Sequence, residues 1–187
     1  MFGAVLAAVL MLASEAGAAA SVTAVSGAAP LIATAPVTAV TGQPATTGAS
    51  MTAAAETRHA LGTFDVSITP VQRAPDAAPD APGRMTLKKT FHGGLTGTGV
   101  GEMLATMAGG NSGAYVAMER VTGTLEGREG TFALVHRGLM DQGAQDLLIT
   151  IVPGSGTDGL AGITGVFHLT IEGGEHRYDL EYSLPAN

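Results

Sequence analysis

The sequence predicts an all-β fold: an eight-stranded antiparallel up-and-down barrel behind a disordered Ala/Thr-rich N-terminal segment. Three observations predict it. From Glu56 onward, successive segments alternate apolar and polar residues with the period of two that belongs to a strand. The connections between them are short and rich in Gly and Pro. No segment in this body of about 130 residues carries a helical period. Eight short antiparallel strands with few long connections favour closure, which removes the exposed edges of an open sheet.

The strands follow in order. Leu61 to Thr69 places Phe64, Val66 and Ile68 on one face, and the prolines between Pro70 and Gly83 break the pattern into a loop. Arg84 to Phe91 aligns Met85, Leu87, Lys89 and Phe91. Leu95 to Met107 sets Gly97, Gly99 and Gly101 on one face, where they bend a strand or clear interior space. Tyr115 to Leu125 and Phe132 to His136 make the fourth and fifth strands, around a loop expected at Glu126 to Glu129. Asp146 to Val152, Leu160 to Glu172 and His176 to Leu184 complete the set. In the last, His176, Tyr178, Leu180, Tyr182 and Leu184 oppose a polar face.

Charge is distributed unevenly over the 187 residues, whose net charge is −7. Residues 1–55 hold one charged side chain, Glu15, whereas all nine Lys and Arg lie from Arg58 onward. Mild acidity without a basic cluster beyond Lys88-Lys89 argues against nucleic-acid binding. With no Cys, disulfides and cysteine-based zinc sites are excluded. Residues 1–20 resemble a signal peptide: an apolar run, then small residues near Ala18 to Ala20 suited to cleavage. They predict export to the periplasm or medium. The missing basic n-region leaves a misassigned start and a cytoplasmic protein as the alternative. The run ends at Glu15, too short to span a membrane, so no stable membrane insertion is expected. Residues 21–55 lack aromatic and charged residues and read as a disordered linker, and 56–187 as the barrel domain.

Two polar residues fall where a β-protein keeps its core. Glu119 shares a face with Tyr115, Ala117, Val121 and Leu125, and His136 shares one with Phe132 and Leu134. A buried charge must be paired, hydrogen-bonded or neutralised, which makes Glu119 and His136 the candidate catalytic pair. A turn centred on Gly127-Arg128 sets them directly opposite each other, and a slip of two residues makes them diagonal neighbours. Lys89 offers an electrophilic contact to a carbonyl or carboxylate, or else snorkels at a barrel rim. Tyr115, Tyr178, Tyr182 and Phe132 complete the candidate ligand-binding set. The Pro153 to Thr157 segment lacks the Gly-Lys-Ser/Thr ending of a phosphate loop and reads as a turn. No cofactor motif and no metal set is assigned. Outward positions Val116, Met118, Val135 and Val166 are apolar and predict a homo-oligomeric surface.

Several runs carry a family resemblance: Tyr115-Val-Ala-Met-Glu119-Arg-Val-Thr-Gly123, Gly130-Thr-Phe-Ala-Leu-Val-His136-Arg-Gly138, Val152-Pro-Gly-Ser-Gly-Thr157, Leu160-Ala-Gly-Ile-Thr-Gly165 and His176-Arg-Tyr-Asp-Leu-Glu-Tyr-Ser-Leu184. Together, from about Glu56 to Leu184, they resemble the DUF3224 family of uncharacterised bacterial proteins. The resemblance implies an allene oxide cyclase-like, lipocalin-like barrel and no established activity, because such barrels host both enzymes and binders. The expected function is binding of a small, largely apolar molecule in the barrel interior. The alternatives are a cofactor-independent isomerase or cyclase using Glu119 and His136 as acid and base, and a structural module with a filled barrel.

Overall fold

The computed structural model describes residues 56–185, Gly110 excepted. The expected signal segment and linker lie outside the described residues. Eight strands follow one another: β1 (Thr57–Pro70), β2 (Gly83–Gly93), β3 (Leu95–Gly109), β4 (Ser112–Leu125), β5 (Arg128–Asp141), β6 (Ala144–Ile151), β7 (Thr164–Glu172) and β8 (Glu175–Ser183). Each pairs antiparallel with the next, and β8 returns to β1 to close the barrel. The alternating side chains explain this directly: each strand has one apolar face, and curling the sheet buries all eight faces on one axis.

Two boundaries differ from expectation. Leu160 precedes β7 rather than opening it, in a 3-10 turn at Asp158–Leu160. The β4–β5 connection is the two-residue turn Glu126-Gly127, not Glu126 to Glu129. Both of its residues have positive φ, 47° and 81°, as in a type I′ turn whose twist matches the strands. Glycine takes such a φ at no cost, and Arg128 and Glu129 thereby join the strand. Leu125 pairs with Arg128, so the whole ladder sits two residues from the expected register.

The interior is unevenly filled. One end is packed by Phe91, Leu95, Leu125, Phe132, Leu160, Ile163, Phe167 and Leu180, each nearly or fully buried. The segment after β6 helps to close this end. Thr157 and Ser155 hydroxyls accept hydrogen bonds from the Thr131 and Ala133 amides, which continues the pairing along β5. Toward the other end the packing is looser, around Met85, Leu87, Met103 and Ala117. The wall is weakest between β6 and β7, where Thr150 and Val166 form the one paired position.

Candidate functional site

Among the described residues, three polar or charged side chains are buried inside the barrel: Lys89, Glu119 and His136, at 8 %, 1 % and 4 % exposure. Lys89 comes from the inward face of β2, where it pairs with Val66 on β1 and Gly99 on β3. Its ammonium donates to Glu119 Oε2 at 2.8 Å. Burial at this depth rules out the rim position. Gly99, its partner across the ladder, leaves room beside Lys89 for the Glu119 carboxylate. A Cβ at position 99 would overlap Glu119 Oε1, so the glycine is what admits the carboxylate.

His136 Nε2 stands 3.0 Å from the same Glu119 oxygen. This is an ion-pair distance, and among the described residues His136 Nε2 and Glu119 Oε1 have no assigned hydrogen-bond partner. Glu119 and His136 are not directly opposite. Glu119 pairs with Leu134 and His136 with Ala117, a diagonal relation that the carboxylate arm spans.

The rings of Phe64, Phe91 and Phe167 surround the Lys89 ammonium, their centroids 4.6, 5.7 and 5.4 Å from Nζ. Cation–π attraction of about 0.5–2 kcal/mol per favourable ring offsets part of the desolvation of the ion pair. Burial pushes the Glu119 carboxyl up, but His136 and Lys89 together outweigh burial and hold it below the ordinary carboxylate range. Burial pushes the His136 imidazole down, Lys89 adds to this, and Glu119 offsets it only in part. The resting cluster is therefore an ammonium–carboxylate pair beside a neutral imidazole.

A cavity of about 90 Å³ opens above the cluster. Its walls are apolar, formed by side chains such as Ile68, Leu87, Met103, Ile149 and Leu169, and it reaches Phe64, Lys89 and His136 where it meets the packed core. Glu119 does not line it, so the cavity meets an ammonium and an imidazole with the carboxylate behind them. Tyr115 does line it, its ring seated over Gly138, where a Cβ would overlap the ring. Burial pushes its hydroxyl up to about 12, which keeps it a neutral donor.

Three expected ligand contacts are corrected. Phe132, Tyr178 and Tyr182 belong to the packed core, not the cavity wall. Their strands carry them to the filled end. There the Tyr178 hydroxyl accepts from the Leu95 amide at 2.9 Å and shares its proton between the carbonyls of His92 and Leu95. Among the described residues, no three His, Asp or Glu side chains gather to hold a metal.

Beyond Thr150, β6 and β7 diverge and the cavity wall thins. Leu147 faces inward by the parity of β6, yet it is 38 % exposed. Leu169 and Ile171, inward on β7, are only half-buried. On the outer wall Val116, Met118 and Val135 are exposed as expected, whereas Val166 is half-buried beside Thr150. Leu104, Leu139 and Leu148 extend the apolar surface across β3 to β6, since Leu104 pairs with Val116 and Met118 with Val135.

Phe167, Gly138 and the seam escaped sequence reading, whereas Phe64, Phe91 and Gly99 all stand on inward faces by period two. Comparison with known proteins agrees with this architecture. No curated protein matches the chain. A crystal structure of a protein of unknown function from the DUF3224 family of Shewanella oneidensis MR-1 is 40 % identical. It covers 70 % of this chain and 100 % of its own, with a TM-score of 0.64. The family model for DUF3224, a protein family of unknown function, matches residues 60–182, which is the barrel from β1 into β8. The chain belongs to the DUF3224 family.

Proposed function

We propose that the barrel binds a small, largely apolar molecule in its interior, with Lys89 and His136 orienting the molecule's polar end. One observation carries this reading: an apolar cavity that ends on two side chains able to donate hydrogen bonds, their counter-charge held behind them. Specific sites are typically apolar pockets with a few convergent polar groups. An apolar cavity of about 150 Å³ takes up benzene, so a space of about 90 Å³ suits a compact molecule or the buried end of a longer one. The thin wall between β6 and β7 supplies an apolar route out for the rest.

A second reading keeps its place because His136 faces the cavity as a neutral imidazole. In a cofactor-independent isomerase or cyclase, the alternative that the allene oxide cyclase-like resemblance implies, His136 would be the base and Glu119 would steady the imidazolium. Native mass spectrometry of protein purified from its own host tests the first reading, with a retained molecule expected. Wild-type protein that binds no apolar probe and whose cavity resonances shift with none would overturn it. Turnover of a retained molecule by wild type but not by His136→Gln would favour the second reading.

A further inference from the structure

We infer that the polar end taken by this cavity is a carboxylate, bound with uptake of one proton from solvent by His136. The inference rests on the interior-binding reading and names the ligand class. It begins with the hydrogen bonds the cluster leaves unmade. Glu119 Oε1 and His136 Nε2 are both buried without a partner among the described residues, although Nε2 lies 3.0 Å from Glu119 Oε2. A neutral imidazole has one N–H, which can serve Glu119 or a ligand but not both. An imidazolium has two. One N–H then donates to Glu119 and the other to an acceptor in the cavity.

Charge selects the acceptor. Lys89 and Glu119 cancel at 2.8 Å, so the floor of the cavity is neutral at rest. An amine would meet the Lys89 ammonium with nothing to balance it. A carboxylate accepts from Lys89, but it leaves one uncompensated negative charge in an apolar interior, a costly state. Protonating His136 removes that charge: two cations then face two carboxylates, one from Glu119 and one from the ligand. The other imidazole nearby, His176 on β8, packs against Phe64 at 5.0 Å between ring centroids but does not line the cavity, so His136 is the one that can meet the ligand. Glu119 and Tyr115 approach from β4, Lys89 from β2, and Asp146 from the outer end of β6, where it is paired with Arg137 at 2.6 Å. The cavity-facing residues of β1, β3 and β7 are uncharged. The bonds balance: one N–H forms on the ring, one proton leaves solvent, and no covalent bond of the ligand changes.

Calorimetry of the whole protein with sodium hexanoate, in two buffers of different ionisation heat, tests this, with hexanamide and hexylamine as size-matched probes. The expected result at pH 7.5 is uptake of about one proton per hexanoate and weaker binding of both other probes. Affinity should fall by about tenfold per pH unit as pH rises above neutrality. His136→Gln should abolish the uptake. Should that variant fold poorly, the ring-nitrogen resonances of His136 in the wild type provide the same test, moving to imidazolium positions as hexanoate is added. Hexanoate binding without proton uptake, or uptake that survives in a folded His136→Gln, overturns the inference. So does hexanamide binding as tightly as hexanoate, and in that case interior binding itself stands. If no probe binds at all, both readings fall together.

Discussion

Replacing Glu119 with Gln removes one negative charge from a side chain with no solvent exposure, 2.8 Å from a buried ammonium. Solvent screening cannot soften the loss. Breaking a buried ion pair by deleting one partner costs about 3–5 kcal/mol, because the remaining charge is left desolvated. One effect places this change near the lower figure: the Phe64, Phe91 and Phe167 rings keep their contacts to Nζ and retain about 0.5–2 kcal/mol. Glu119→Gln should therefore destabilise the barrel by about 3 kcal/mol. With a urea slope of about 1–3 kcal/mol/M, the unfolding midpoint falls by about 1–3 M. Adding Lys89→Met removes the stranded charge and should restore about 2 kcal/mol or more, since an apolar replacement of a whole buried pair is often neutral. Urea denaturation followed by far-ultraviolet circular dichroism measures both. A Glu119→Gln loss below about 1 kcal/mol, or strict additivity of the two substitutions, would refute the energetic account of the cluster.

Other outcomes follow from the same geometry. The folded state holds the imidazoles of His136 and His176 below their ordinary value of 6.5, so below that pH the unfolded chain binds more protons. Their contribution is complete above pH 6.5 and is lost as pH falls toward the folded values. Glu119, also held low, adds a second loss below its ordinary 4.5. Urea midpoints measured between pH 8 and 4 should decline in these two windows, and a midpoint that rises on acidification through pH 6 would contradict the assignment. Gly99→Ala should mimic Glu119→Gln, destabilising by about 2–4 kcal/mol, because its Cβ takes the place of Glu119 Oε1; denaturation curves indistinguishable from wild type would sink this. Amides of residues 145–149 and 167–171 that face the seam should exchange with solvent faster than those of β4 and β5, and equal protection would show the seam to be closed. Met118→Lys, in the middle of the outward apolar surface, should weaken self-association in light scattering, whereas wild-type protein that stays monomeric at high concentration counts against pairing through this face.

The barrel was legible because each inward face is a near-continuous row of apolar residues with period two, and short glycine-rich connections leave little choice but antiparallel neighbours. Register was the first thing to escape. Between Leu125 and Gly130, the charged Glu126, Arg128 and Glu129 all look equally suited to a loop. The selection is made by backbone conformation: a type I′ turn needs two positive φ values, and Gly127 supplies the second most easily. The same geometry recurs at Gln142-Gly143 and Gly173-Gly174, both with positive φ at each residue. Which end of the barrel is filled was equally hidden. Tyr178 and Tyr115 are both inward tyrosines, yet one hydroxyl is consumed by the Leu95 and His92 backbone and the other lines the cavity. Only the stagger of the strands along the axis separates them, and period two says nothing about stagger.

The two-residue slip explains why the polar cluster contains three members rather than two. Direct opposition would have let Glu119 and His136 satisfy each other across the ladder and left Lys89 without a carboxylate. In the diagonal arrangement Glu119 leans over Gly99 toward β2, accepts a hydrogen bond from Lys89 on that strand at 2.8 Å, and meets His136 at 3.0 Å. The ammonium is thereby satisfied at the expense of the imidazole. A pair closed on itself would be a structural plug, with no valence left for a ligand. A cluster whose third member lines a cavity wall while its buried ring nitrogen keeps an unmade hydrogen bond is a different object. The cost of leaving a buried polar group unpaired, about 1–3 kcal/mol, is the free energy that an incoming acceptor of the right charge can recover.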